Sequence, residues 1–135
     1  MKKTVMALCL VFLLTACAVG SGKSAEAEYI REDKYAGDEL DIVRLINQRI
    51  KYLQEENESE YMKLFYTDSP INGMSKFKLK AVRLTENISI QQQKQAVVAL
   101  ARAEDVVSTG ETFNSQYVFI KSKRTHDEWK ILDID

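Results

Sequence analysis

Few side chains in this 135-residue sequence could do chemistry, and the sequence does not group them. There are two cysteines, Cys9 and Cys17, and one histidine, His126. Metal sites built on nitrogen and sulfur need several such ligands at suitable spacing, and the five glycines are too dispersed to form a phosphate-binding loop. The sequence therefore predicts no metal, no cofactor and no catalytic residue.

The individual candidates each have a simpler interpretation. His126 lies in a predicted hairpin turn, where a solvated side chain is favoured over a general base. Glu104 and Asp105 could form a carboxylate pair, but adjacent strand residues point to opposite faces. The glutamates within 55–60 could bind calcium weakly, although such a charged run at a helix junction is usually a solvated surface.

The start of the chain has the clearest chemical pattern. Lys2 and Lys3 precede an apolar run over residues 5–14, and Leu14-Thr15-Ala16-Cys17 follows. A positive start, an apolar stretch and small residues predict a secretion signal. About a dozen residues are too few to cross a bilayer, which takes about twenty. We therefore expect no permanent transmembrane helix here.

Leu14, Ala16 and Cys17 resemble the bacterial lipobox. The resemblance implies that the Cys17 thiol receives a diacylglycerol and that signal peptide 1–16 is cleaved between Ala16 and Cys17. Acyl chains would then hold the mature protein on the extracytoplasmic face of the cell membrane. The alternative is an ordinary secretory signal in which Cys17 is incidental. We expect a bacterial lipoprotein.

Charge and cysteine content restrict the folded part of the chain. With Cys9 removed and Cys17 acylated, it would contain no thiol and no disulfide. Removal of Lys2 and Lys3 takes the 19 basic residues to 17 against 20 acidic ones, a net charge of about −3. Nucleic-acid binding calls for a basic patch or stripe, so we expect no nucleic-acid partner.

Composition divides the mature chain into a tether and one domain. Residues 17–37, rich in Gly, Ser, Ala, Glu and Lys, are expected to be flexible. A role for Tyr29 and Tyr35 in docking a partner is the alternative for this segment. Residues 38–135 are long enough for a single small domain.

The domain is predicted to open with an amphipathic helix. Asp38 is the expected N-cap, and apolar residues follow at helical spacing: Leu40, Val43, Ile46, Ile50 and Leu53. A second short helical segment is expected over 61–66, and Pro70 prevents its continuation.

After Gly73 the apolar period becomes two. Phe77, Leu79 and Ala81 alternate with lysines, and the phase then shifts as though across a bulge. Further strands are expected over 95–107, 117–120 and 129–134, with Trp129 sealing the sheet against the first helix. Helices followed by strands predict an α+β fold, in which the helices pack on a curved, four-stranded antiparallel sheet.

The first helix, the segment 57–65 followed by Asp68, and the final hairpin over 128–133 resemble the nuclear-transport-factor-two-like superfamily. The resemblance implies a cone formed by a curved antiparallel sheet wrapped on helices. Only 67–75 is available for the further helix that members usually carry. A shortened cone, closer to a cystatin-like helix on a sheet, is therefore expected, and no catalytic position is transferred.

Three functions are consistent with these features. We expect a non-catalytic binding module whose sheet face or edge engages an envelope protein or peptide. The alternative is a small-molecule carrier or sensor with a groove between helix and sheet, lined by Tyr52, Phe65, Tyr117 and Phe119. An enzyme resembling the superfamily's isomerases or dehydratases would need a buried histidine or carboxylate in a closed cone.

Overall fold

The first helix, α1, forms because apolar residues recur every three or four positions on one face. In the computed structural model, which describes residues 26–135, α1 spans Gly37–Gln54. Its buried apolar face consists of Ile42, Val43, Ile46, Ile50 and Leu53. The signal peptide, Cys17 and residues 18–25 of the predicted tether lie outside the described residues. Within 26–135, no helix is long and apolar enough to cross a membrane.

Asp38 does not cap α1, and that prediction was wrong. The N-cap is Ala36, which makes no side-chain capping bond. The Asp38 carboxylate instead accepts hydrogen bonds from Lys121 Nζ and Trp129 Nε1. These two bonds tie the start of α1 to the end of β4 and to the residue just before β5.

The second helix, α2, begins and ends earlier than the segment 61–66 expected from the sequence. It spans Glu58–Met62 and is capped by Asn57, whose side chain accepts from the Glu60 amide at 3.2 Å. The following residues extend along the last strand instead of continuing the helix. Tyr66 N donates to Ile131 O, and Ile131 N donates to Leu64 O, both at 2.8 Å. These bonds cover part of the outer strand's edge, which would otherwise expose unpaired amides.

The sheet is antiparallel, and it is not closed. Its five strands are β1 (Leu79–Leu84), β2 (Ser89–Gln92), β3 (Ala96–Val107), β4 (Thr112–Ser122) and β5 (Lys130–Ile134). The strand order is β1-β3-β4-β5, and β2 also pairs with β3. The first half of β3 pairs with β2 and its second half with β1. The α+β class and the antiparallel sheet are confirmed, with one strand more than the four predicted.

Both helices contribute side chains to a single core on one face of the sheet. β3 presents small residues there, Ala99, Ala101 and Ala103, whereas β4 presents Tyr117 and Phe119. Trp129 is buried directly before β5, as expected. The register of β1 shifts between Leu79 and Ala81, just before the step from Ala81 to Val82 at which a bulge was predicted.

The chain before α1 differs from the expected flexible tether. Glu28 N donates to Lys80 O at 2.7 Å, and Glu28 forms a parallel bridge with Ala81. The Asn47 side chain bonds both backbone groups of Ile30, at 2.8 and 2.9 Å. The bridge from Glu28 pairs part of the edge of β1, and the bonds to Ile30 satisfy the buried side-chain amide of Asn47. Residues 26–36 therefore pack against the domain.

Candidate functional site

A groove of about 530 Å³ lies at the end of the sheet where β3 begins and β4 ends. Four cationic side chains line it: Lys94, Lys121, Lys123 and Arg124. The acidic residue among them is Asp127, and Ala96 and Val97 supply apolar surface. The whole chain has a formal net charge of −1, so this cluster, termed here the basic groove, is a local reversal of the protein's charge.

Backbone pairing holds the two sides of the basic groove together. Gln93 N donates to Ala96 O at 2.8 Å, which closes the turn that carries Lys94. Ala96 pairs with Ser122 in the β3–β4 ladder. Beyond Ser122, a short 3-10 helix, Lys123–Thr125, is fixed by the Thr125 hydroxyl, which accepts from Ser122 N and donates to Ser122 O.

The four cations differ in whether they have a partner. Lys121 pairs with Asp38, and its ammonium lies 5.1 Å from the Trp129 ring centroid. Arg124 pairs with Asp68 at 3.0 Å. Lys94 and Lys123 form no ion pair within residues 26–135. The basic groove therefore presents two cations without an internal counter-charge.

The charge at Asp38 is stabilised by this arrangement. Hydrogen bonds from Lys121 and Trp129 lower the pKa of Asp38 below its ordinary value of 3.8, and they outweigh the opposing effect of burial. The carboxylate is therefore ionised at neutral pH. It orients Lys121 at the margin of the groove.

A second exposed surface lies at the opposite end of the sheet. Phe77 and Phe113 are 46% and 50% exposed, and their ring centroids are 6.4 Å apart. They line a groove of about 470 Å³ together with Lys76, Lys78 and Glu111 among others. Phe77 is exposed because β1 begins only at Leu79, so its expected place in that strand was wrong. The pair leaves aromatic surface open to solvent at this end of the sheet.

A buried polar cluster joins α1 to the sheet. Arg49 Nη1 donates to Tyr117 Oη at 2.6 Å and to Asp105 Oδ2 at 3.2 Å. The Tyr117 hydroxyl donates to Asp105, with oxygen–oxygen distances of 2.7 and 2.9 Å. All three residues are almost completely buried. We refer to them below as the Arg49 cluster.

Burial and charge set the protonation states in the Arg49 cluster. Burial raises the pKa of Tyr117 well above its ordinary value, and Asp105 adds to that effect while Arg49 opposes it. Burial disfavours the charged form of Arg49, but Tyr117, Tyr61 and Asp105 more than compensate and raise its pKa. Tyr117 is therefore a neutral donor and Arg49 a cation. None of the three lines the grooves described above, so the cluster joins elements of the core.

The residues that the sequence offered as catalytic or metal-binding candidates are not brought together by the fold. His126 is exposed in a left-handed turn conformation, with φ of 55°. Asp105 points into the core, whereas Glu104 lies near Arg83 at 3.6 Å on the other face. Glu60 pairs with Lys63 at 2.6 Å. Within the described part of the chain, no three histidine, cysteine or acidic residues are grouped for a metal.

The four aromatic residues expected to line a ligand groove mostly fill the core. Phe65, Tyr117 and Phe119 are buried, because a small domain needs its large rings for packing. The Tyr117 and Phe119 rings stack with centroids 6.1 Å apart. Tyr52 is half-buried and lines a different surface groove, of about 450 Å³, between the helices and β5. The predicted helix–sheet groove is not formed by these residues.

Sequence reasoning missed the Arg49 cluster and the basic groove. Arg49 could have been found, because it lies within the apolar stripe of α1, three residues after Ile46 and four before Leu53. A cation at that position requires a buried counter-charge. The groove left no local signal, since Lys94 is far in sequence from 121–124 and only strand register brings them together.

Comparisons with known proteins identify no relative of this chain. No protein-family model, no curated protein and no solved structure matches the chain. The residues of the chain itself therefore carry the functional proposal.

Proposed function

We propose that this chain is a lipid-anchored binding module on the extracytoplasmic face of a bacterial cell membrane. Cys17 would carry the lipid, as its likeness to the lipobox implies, and the domain would engage an envelope protein or peptide without catalysing a reaction. We further propose that the five-stranded fold is a shortened cone of the nuclear-transport-factor-two-like or cystatin-like kind. The open, helix-covered sheet supports that assignment.

One geometric observation carries the proposal: the chain enters the fold at one end of the sheet, and the basic groove lies at the other. Because Glu28 pairs with Ala81 in parallel, the residues before it approach from the Leu79 end of β1. Leu79 pairs with Val107 at the end of β3, whereas the groove begins at Ala96. The 12 residues of β3 place these ends about 36 Å apart.

Chain length then limits how far the domain can lie from its anchor. Nine peptide units separate Cys17 from Glu26, which is about 30 Å even when fully extended. If the groove end faced the bilayer, the point where the chain enters the sheet would lie about 36 Å from the membrane, which is beyond the reach of this tether. The end of the sheet that carries Phe77 and Phe113 would therefore lie towards the bilayer. The basic groove would face away from it, accessible to another molecule.

The buried groups favour binding over catalysis. The charged and phenolic groups of the Arg49 cluster are bonded to one another in the core, where a substrate would have to displace packed side chains. The exposed histidine, His126, has no carboxylate or nucleophile bonded to it in the described structure. Three of the four residues proposed for a small-molecule groove are core residues, which makes the carrier alternative weaker.

Cys17→Ser tests the anchor. We expect the processed variant to leave the membrane fraction and appear in the soluble extracytoplasmic fraction, because it lacks the thiol that would be acylated. Fractionation, with intact mass measured to detect the lipid, is the readout. Cys9→Ser is the matched control, since it changes the other thiol and should leave the protein in the membrane fraction. A processed Cys17→Ser chain that stays with the membrane would contradict the proposal.

A further inference from the structure

We infer that the basic groove binds an acidic peptide segment, with Lys94 and Lys123 as the principal contacts to its carboxylates. The inference rests on the proposed binding role and names the chemistry of the partner. It does not require the lipid, because every residue of the groove lies within 92–127.

Charge is the first support. Lys94 and Lys123 are exposed and lack an ion pair in the described chain. Lys121 and Arg124 lie in the same groove and are already bound to carboxylates, those of Asp38 and Asp68. Asp127 is the one acidic side chain in the lining. The surplus of positive charge attracts an anion although the protein as a whole is slightly negative.

The form of the groove is the second support. Ala96 and Val97 add apolar surface to the cationic lining, and Gln92 and Gln95 add amides that can donate hydrogen bonds. A free inorganic anion would use only the charge. A peptide that alternates acidic and aliphatic residues would use both, since its carboxylates would meet the lysines while its aliphatic side chains cover Ala96 and Val97.

The position of the groove is the third support. It lies at the end of the sheet opposite the entry of the N-terminal segment, as described above. Its two sides come from separate parts of the chain but are joined by the β3–β4 ladder and the Thr125 hydrogen bonds. A rigid frame reduces the entropy lost when a flexible peptide binds.

Fluorescence anisotropy tests the inference with a labelled six-residue peptide of alternating glutamate and leucine. The full chain, purified in a neutral detergent, is titrated into this probe, and an alternating lysine–leucine peptide serves as the negative probe. The double variant Lys94→Glu/Lys123→Glu should weaken binding at least about tenfold. The control, Lys34→Glu/Lys51→Glu, reverses two exposed lysines outside both grooves with the same change in net charge, and should alter binding less than about twofold.

Three outcomes would overturn the inference. They are no binding of the acidic peptide at low salt, equal weakening by the two double variants, and displacement by tripolyphosphate at concentrations where excess unlabelled acidic peptide fails. Because the titration can be repeated on Cys17→Ser, failure of the anchor and failure of the groove are separate results. Binding to Cys17→Ser that the groove substitutions reduce and the control substitutions do not would support this inference, whatever fractionation shows about the lipid.

Discussion

At Arg49 the apolar pattern of α1 and the cost of burying a charge make opposite demands. Its position in the apolar stripe of α1 forces it into the core, where an isolated cation would be strongly destabilising. Asp105 and Tyr117, on two neighbouring strands, offset this cost by accepting hydrogen bonds from Arg49 Nη1, whereas Arg49 Nε has no partner in the described structure. The Arg49 cluster therefore fixes the position of α1 on the sheet. A buried charged cluster of this kind contributes more to the specificity of packing than to the net free energy of unfolding.

We predict that Arg49→Met lowers the free energy of unfolding by about 3–5 kcal/mol, because it leaves the Asp105 carboxylate buried without its cation. The triple variant Arg49→Met/Asp105→Leu/Tyr117→Phe removes every polar group of the cluster and should recover at least half of that loss. Urea denaturation of the variants measures both effects. A triple variant as unstable as Arg49→Met would show that the loss comes from packing and not from the unpaired charge.

At the scale of elements, the junction between α1 and the sheet depends on Asp38. Its carboxylate bonds Lys121 at the end of β4 and Trp129 just before β5. These bonds join the first residues of α1 to residues more than 80 positions later in the chain. It also orients one lysine of the basic groove.

Asp38→Asn should lower the free energy of unfolding by about 0.5–1 kcal/mol at pH 7, a modest loss because the ion pair is partly exposed. The pKa of Asp38 is lower in the folded protein than its ordinary value of 3.8. Its stabilising contribution is therefore complete above that value and is lost as the pH falls through the folded pKa.

The difference between wild type and Asp38→Asn should accordingly be constant from about pH 7 to 5 and shrink below about pH 4. Unfolding free energies measured by urea denaturation across this range test the prediction. Asp41→Asn, which changes an exposed carboxylate on the same helix, should stay within a few tenths of a kcal/mol of wild type. A difference that grows as the pH falls would contradict the assigned direction of the pKa shift.

Sequence periodicity predicts the elements that bury a regular face. The apolar spacing in α1 and the β-branched run in β3 are of this kind, and both are confirmed. β2 was missed because all four of its residues are exposed and its pairing comes from β3, not from its own pattern. The packed segment 26–36 was missed for the same reason, since a buried asparagine on α1 holds Ile30 in place.

The candidate site could be predicted less well than the fold. A groove formed by Lys94 and residues 121–124 depends on the register of β3 and β4, which no local pattern contains. The aromatic residues expected to form a groove were named from their size, but size is equally a requirement of core packing. Charged residues at apolar spacing, such as Arg49, are the signal that sequence reading could have used.

At the scale of the whole molecule, the two ends of the sheet have different surfaces. One end carries the exposed pair Phe77 and Phe113 near the entry of the N-terminal segment, and the other carries the basic groove. We propose that the first end faces the membrane and that the second end binds a partner. Anchoring would raise the local concentration of the domain near other envelope proteins, so a modest intrinsic affinity would suffice.

The most direct measurement is photo-crosslinking in cells from position 95, where Gln95 lines the basic groove and is exposed. With p-benzoylphenylalanine at that position, we predict one recurrent protein adduct in the membrane fraction. The adduct should persist when Lys34→Glu/Lys51→Glu is added and disappear with Lys94→Glu/Lys123→Glu. The absence of any protein adduct, or an adduct that the groove substitutions leave unchanged, would contradict the account of this chain as an anchored module that binds through its basic groove.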